Sequence, residues 1–457
     1  MNQAAIEIPF FRAHQTSERI ALYDDADSLS YRALTEAITR RAQNWQQIVP
    51  VRRPVVMMLI DNSITSVVDY LTALSLDYVV LLLNPACSLT VREHYARSLR
   101  PNVVIGDGTL TVLHSETLPT DPRGSLLLST SGSTGAGKCV ALSKHNLAAN
   151  CASIVSYLPI EKSDITLATL PLSYSYGLSV LHSHLSAGAS ICFTAHSVFD
   201  KGFWEIVKTR PIHSLSGVPS FYEMLLRLRF TKMDLPELRY FTQAGGKLAS
   251  AHVTQLAEYA RATDKAFYVM YGQTEATARM AYLAPDKVLA KPGVIGQPIP
   301  GGEFKLENVN NRGEGELYYR GDNVMLGYVE QASDLARFNP DSWLATGDIA
   351  SCDADGDYAI TGRTKRMIKI AGERVSLDAM EQNFSDKDVV VRCVGEDDKL
   401  VLVTLTSQGR NIEQRIQRQQ ILPQRNIRLA SVAEWPLLAN GKIDYQSLQQ
   451  LVVEKAC

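Results

Sequence analysis

The stretch LLLSTSGSTGAGKCVALS, Leu126 to Ser143, sets an apolar run against a loop of hydroxyls and glycines that ends in a lysine. Backbone N–H groups and the hydroxyls of Thr130, Ser131, Ser133 and Thr134, closed by Lys138, make an anion cradle that suits polyphosphate. Read literally, Gly132 to Cys139 is GSTGAGKC, one residue away from the GxxxxGK[ST] loop of phosphotransferases. Two features oppose that reading. Cys139 stands where a metal-binding hydroxyl is needed, and CVAL reads as a strand where the phosphotransferase loop needs a helix.

Outward from this loop, short apolar runs alternate with helical patterns. VVMMLI, SITSVVDYLTAL, YVVLLL, VREHYARSL and VVIGD precede it. ITLATLP, GLSVLHSHL, SICFTA, FWEIVKT, HSLSGVP, FYEMLLRL, RYFTQAG, a helix near Ala249 to Ala262, and AFYVMYG follow it. This β-α rhythm predicts an α/β fold of mostly parallel sheets flanked by helices. From about residue 293 to 362 the runs shorten and fill with Gly and Pro, which predicts a β-rich subdomain. The last ninety-odd residues predict a small, mobile α+β C-terminal domain with a helix from about Asn411 to Gln420. The expected division is residues 1–363 and 364–457.

At 457 residues the chain is too long for one ordinary core, and its 46% hydrophobic content is globular. Lys plus Arg total 46 against 48 for Asp plus Glu, so nothing suggests a nucleic-acid partner. Seven scattered cysteines without CxxC spacing predict neither a disulfide framework nor a zinc site, and a reducing cytoplasm suits them. The first residues lack a secretory pattern, and no apolar stretch is long enough to insert in a membrane.

Five further motifs follow in order: QAGGKL (Gln243 to Leu248), YGQTE (Tyr271 to Glu275), TGD (Thr346 to Asp348), GRTKRMIKIAGERVS (Gly362 to Ser376) and NGKID (Asn440 to Asp444). Together with the loop they resemble the adenylate-forming superfamily of acyl-CoA synthetases, carrier-loading adenylation domains and luciferase-like enzymes. The loop of that family reads close to TSGTTGxPKG; Gly137 replaces its Pro and Cys139 its last Gly.

The resemblance implies an ATP- and Mg²⁺-dependent ligase that joins a carboxylic acid to a thiol through an acyl-adenylate. The thiol would be coenzyme A or the phosphopantetheine of an acyl or peptidyl carrier protein. Thr130, Ser131, Gly132, Ser133, Thr134, Gly135 and Lys138 would hold phosphates, and Thr274 would bond the α-phosphate. Glu275 would bind Mg²⁺, a hard ion that prefers oxygen ligands. Gly245, Gly246, Lys247, Tyr271, Gly272 and Gln273 would frame the adenine, with Asp348 and Arg363 on the ribose. Lys442, on a loop marked by Asn440-Gly441, would bridge the carboxylate and the α-phosphate as the catalytic lysine. Lys365 would be the hinge of a rotating C-terminal domain and Gly372 would line the thiol tunnel.

For the acid, the resemblance points to a pocket of Tyr174, Ser175, Tyr176, Gly177, Val218, Pro219 and Ala244. The segment LPLSYSYGLS lacks the Asp by which amino-acid-activating relatives hold an ammonium. A fatty, aryl or small hydroxy acid is therefore expected, with an amino acid loaded onto a carrier protein as the alternative. A non-catalytic nucleotide-binding protein is the alternative of another class. Arg279 reads as one half of a structural ion pair in preference to a contact with a second acidic group on the substrate. His182 and His184, two apart on a helix, read as packing or surface residues and make a poor metal pair.

Overall fold

The computed structural model describes residues 7–25, 27–129, 137–370, 373–385, 389–406, 426–438 and 442–454. Among these, two large sheets dominate. The first, of seven strands, runs in the order Gly327–Val329, Cys139–Ser143, Gly124–Ser129, Val79–Leu83, Val55–Leu59, Val103–Gly106, Thr109–Val112. Its three central pairings, from Gly124–Ser129 to Val103–Gly106, are parallel, and the outer pairings are antiparallel. VVLLL is buried at every position and VVMML at all but one, the expected signature of strands covered on both faces.

The second sheet, of nine strands, has a parallel centre of Ser190–Cys192, Ile165–Leu167, Ser214–Gly217, Tyr240–Gln243 and Ala266–Tyr271. Helices Ile64–Ser75, Lys144–Tyr157 and Ser175–Ala187 lie in the layer between the sheets. Val56, Met58, Val80 and Leu82 of the first sheet share one buried cluster with Leu147, Leu178 and Leu181 of the helices and Leu22 and Ile191 of the second sheet. Serines fix where helices start. Ser30, Ser63, Ser88 and Ser143 each accept a hydrogen bond from the backbone N–H three residues on, a cap that contributes about 1 kcal/mol.

The expected β-rich stretch is a four-stranded antiparallel sheet of Gly302–Glu307, Glu314–Gly321, Leu344–Cys352 and Tyr358–Arg363. Beyond it lie a two-stranded pair, Met367–Ile370 with Glu373–Ser376, and a three-stranded sheet, Arg392–Glu396, Lys399–Leu405 and Ile427–Val432. These carry a separate apolar cluster that includes Ile368, Phe384, Val391 and Leu402. The helix expected over 411–420 lies outside the described residues. No helix among the described residues is long and apolar enough to cross a membrane.

CVAL forms the strand Cys139–Ser143, antiparallel to Gly124–Ser129, and the next helix starts only at Lys144. The lysine of the glycine-rich loop thus leads into a strand, which removes the helix N-terminus that a phosphotransferase loop requires.

Candidate active site

The site lies beyond the carboxyl ends of the parallel strands of the nine-stranded sheet, where open α/β folds collect ligands. Tyr240–Gln243 delivers Ala244 and Gly245, and Ala266–Tyr271 delivers Gly272 to Glu275. Helix Ser175–Ala187 begins at its mouth with Tyr174 as the capping residue. Tyr174, Ser175, Tyr176, Ala244, Gly245, Gly272, Gln273, Thr274, Ala278, Arg279 and Lys442 enclose a cavity of about 20 Å³.

Two glycines are required by close approach. At Gly272 a Cβ would stand 1.7 Å from the Ala278 carbonyl oxygen, so the chain folds back on itself only with hydrogen there. Gly245 holds φ +83°, and a Cβ on it would meet the Tyr174 hydroxyl at 2.6 Å. The turn that closes against Gly272 is itself strained, since Thr277 and Ala278 both hold positive φ, 58° and 114°.

Within the cavity Ser175 Oγ and Thr274 Oγ1 lie 3.3 Å apart in hydrogen-bond contact. The Tyr176 hydroxyl is buried and donates to the Thr242 carbonyl at 3.0 Å. Lys442 Nζ sits 5.5 Å from the centre of the Tyr174 ring, within cation–π reach. Its loop is closed by the Leu438 N–H donating to the Lys442 carbonyl at 2.8 Å and by a bridge between Leu437 and Ile443. Burial, and then the Arg363 charge, push the Lys442 ammonium down to about 8, with Glu275 and Asp348 acting in the opposite sense.

Beside the cavity, Asp348 and Arg363 are cross-strand neighbours, and Arg363 Nε meets Asp348 Oδ1 at 3.0 Å. The Tyr271 hydroxyl donates to the other Asp348 oxygen. Burial raises the Asp348 carboxyl and the Arg363 charge counters it. Tyr271 is therefore tied to Asp348 by its hydroxyl while its ring packs edge-on to Phe304. Gln273 Nε2 reaches the Thr346 carbonyl at 3.4 Å.

The phosphate-loop residues Thr130, Ser131, Gly132, Ser133, Thr134 and Gly135 lie outside the described residues, as do Gly372 and the side chain of Lys365. Lys138, at the loop's end, is described: its Nζ lies 3.1 Å above the Tyr328 ring. The Tyr328 hydroxyl donates to Glu275 Oε1 at 3.0 Å, so one tyrosine ties the loop lysine to the carboxylate of YGQTE. That carboxylate is a hard oxygen donor of the kind Mg²⁺ takes. Sequence reading missed Tyr328, which strand pairing brings opposite Val140, two residues past Lys138.

Not every expected residue reaches the cavity. Gly177 packs against the Pro171 carbonyl, Val218 is buried in the core of the second sheet, and Pro219 opens the helix Pro219–Arg227. Gly246 lies beside Pro219 and accepts from Gln243 Nε2 at 2.8 Å, and Lys247 Nζ donates to the Ile360 carbonyl at 3.4 Å. His182 stacks on Phe10 and contacts the Tyr70 hydroxyl at 3.0 Å; burial pushes it down to about 3. His184, pushed down to about 4 by burial, lies against Tyr240. Both are packing residues and neither is at the surface.

The preferred reading of Arg279 does not hold. It is 2% exposed, and among the described residues no carboxylate pairs with it, while its Nε and Nη1 have no hydrogen-bond partner.

Residues 119–329 match the AMP-binding enzyme family. That region holds the glycine-rich loop, the cavity residues up to Arg279, and Tyr328. Over 265 residues the chain is 32% identical to an oxalate–CoA ligase of Arabidopsis thaliana, matching 55% of this chain and 50% of the relative. It is 25% identical over 393 residues to a 2-succinylbenzoate–CoA ligase of Bacillus pumilus, matching 80% of this chain and 79% of the relative. The first match thus spans half the length of the curated relative. The fold is shared over nearly the full chain with ATP-bound MatB from Rhodopseudomonas palustris, with TM-score 0.81, 22% identity, and 97% of each chain covered.

Proposed function

We propose that this protein is an ATP-dependent acid:thiol ligase, which forms an acyl-adenylate and then passes the acyl group to coenzyme A. The observation that carries the reading is the cavity that the YGQTE loop and Lys442 wall together, beside the Asp348–Arg363 pair. The names of the curated relatives, CoA ligases, support it.

In the first half-reaction a carboxylate oxygen attacks the α-phosphorus of ATP, the bond to the bridging oxygen breaks, and pyrophosphate leaves with the electron pair. Two anions must meet, so the site has to neutralise charge and hold the groups in line. Thr274 donates its hydroxyl to the α-phosphate, positioned by Ser175. Lys442 supplies the ammonium between carboxylate and phosphate, desolvated and therefore stronger than a solvated lysine. Asp348 takes the ribose hydroxyls, and Glu275 with the glycine-rich loop would hold Mg²⁺ and the phosphates. The ion when bound neutralises polyphosphate charge.

In the second half-reaction a thiolate attacks the acyl carbon and AMP leaves. We assign residues 364–457 to a domain that turns about Lys365 between the two steps, carrying Lys442 away and bringing the Gly372 segment to the thiol path. Nucleotide analysis tests the proposal. Acid-dependent conversion of ATP to AMP and pyrophosphate is expected; ADP, or no dependence on any acid, would contradict it.

A further inference from the structure

Arg279 is the largest fully buried side chain among the described residues. Its surroundings are aromatic and polar but uncharged. The guanidinium carbon lies 5.2 Å from the centre of the Tyr176 ring, the Tyr157 hydroxyl is in contact, and Cys151, His184 and Tyr240 are near enough to feel its charge. The backbone around it is fixed: its carbonyl accepts from Asn150 Nδ2 at 2.8 Å and from Asn323 Nδ2 at 3.1 Å.

A guanidinium shut away from water with two of its nitrogens unanswered is costly to keep, and a structural role would ordinarily supply its partner from within the fold. Here the fold supplies hydroxyls and rings, and the same residue lies among those that line the cavity of Thr274 and Lys442. An anion entering that cavity would meet a planar, permanently charged donor set matched to two carboxylate oxygens.

We propose that Arg279 sets substrate specificity by receiving a second carboxylate, so that the acid activated here is a short dicarboxylic acid. The inference rests on the adenylation reading of the same cavity. One carboxyl group faces Thr274, Lys442 and the α-phosphate, and the other faces Arg279. On this proposal a fatty acid is disfavoured, because a long apolar chain would leave the buried cation without a partner. A neutral acid of equal shape leaves the guanidinium unanswered, the situation in which polar sites discriminate most strongly.

The test pairs malonate, succinate, glutarate and benzene-1,2-dicarboxylate each with its half-amide, and includes plain monocarboxylic acids, with pyrophosphate release as the readout. The diacid that reacts best should exceed its half-amide by about 10²- to 10⁴-fold in kcat/KM. Arg279→Met should bring that ratio close to one while holding or raising Tm, because it removes a buried charge that has no partner in the fold. Equal turnover of diacid and half-amide, or reaction with monocarboxylic acids alone, would overturn the inference and leave adenylation standing. A lower Tm with an unchanged ratio would make Arg279 structural and overturn it too. Release with no acid of either kind would overturn the adenylation reading and this inference together.

Discussion

At the Asp348 end of the site the charges answer one another, whereas at the Arg279 end a cation is left open. Asp348 is buried, yet Arg363 and Tyr271 already satisfy it; Arg279 is buried more deeply and meets only uncharged neighbours. The Asp348 end, which the proposed function gives to the nucleotide, is complete in itself. At the Arg279 end the fold leaves two guanidinium nitrogens without a hydrogen-bond partner, and on the proposal made above that partner arrives with the substrate. A constant ligand and a selected one would leave this difference behind.

The largest effect that would sharpen the comparison belongs to Lys442, which stands between the two ends. Lys442→Ala should lower adenylation by about 10²- to 10³-fold while a supplied acyl-adenylate is still converted to thioester. Equal loss in both half-reactions, measured separately, would deny the lysine its place. Because its ammonium is held down to about 8, the charged form dominates at neutral pH and is lost above that value. Adenylation should therefore fall about tenfold per pH unit on the alkaline side. In Lys442→Arg the limb should vanish, since a guanidinium keeps its proton.

Next in size, Asp348→Asn should raise KM for ATP by about 10- to 100-fold, the worth of hydrogen bonds to a charged group, with the preference among acids unchanged. An altered acid preference would break the division between the two ends. Lys365→Pro should slow thioester formation by about tenfold and spare pyrophosphate release, if the backbone there must change its dihedral angles. Smallest is Tyr328→Phe, which removes the hydroxyl on Glu275 but keeps the ring under Lys138. The Mg²⁺ concentration for half-maximal rate should rise about two- to tenfold, and an unchanged requirement would separate Glu275 from the ion.

Much of the fold was legible because apolar runs buried on both faces and serine caps are local signals. VVLLL and the strand CVALS were read from a handful of neighbours, and the second of these disposed of the phosphotransferase loop. That Tyr271, Asp348 and Arg363 would come together was legible because each sits inside a short motif. Arg279 was not, because whether a carboxylate faces a buried arginine depends on chain segments far away in sequence. Tyr328 was hidden likewise, 53 residues from Glu275. Gly177, Val218 and Pro219, which the resemblance gives to the pocket, are not among the residues that line the cavity.

The measurement that bears most directly on the account is the fate of oxygen from the acid. With a carboxylate labelled in both oxygens by ¹⁸O, attack on the α-phosphorus followed by thioester formation places one ¹⁸O in the phosphate of AMP. Label in AMP, with unlabelled pyrophosphate, is the result expected. Label in inorganic phosphate with ADP as product, or AMP that carries none, would contradict an acyl-adenylate formed in this cavity.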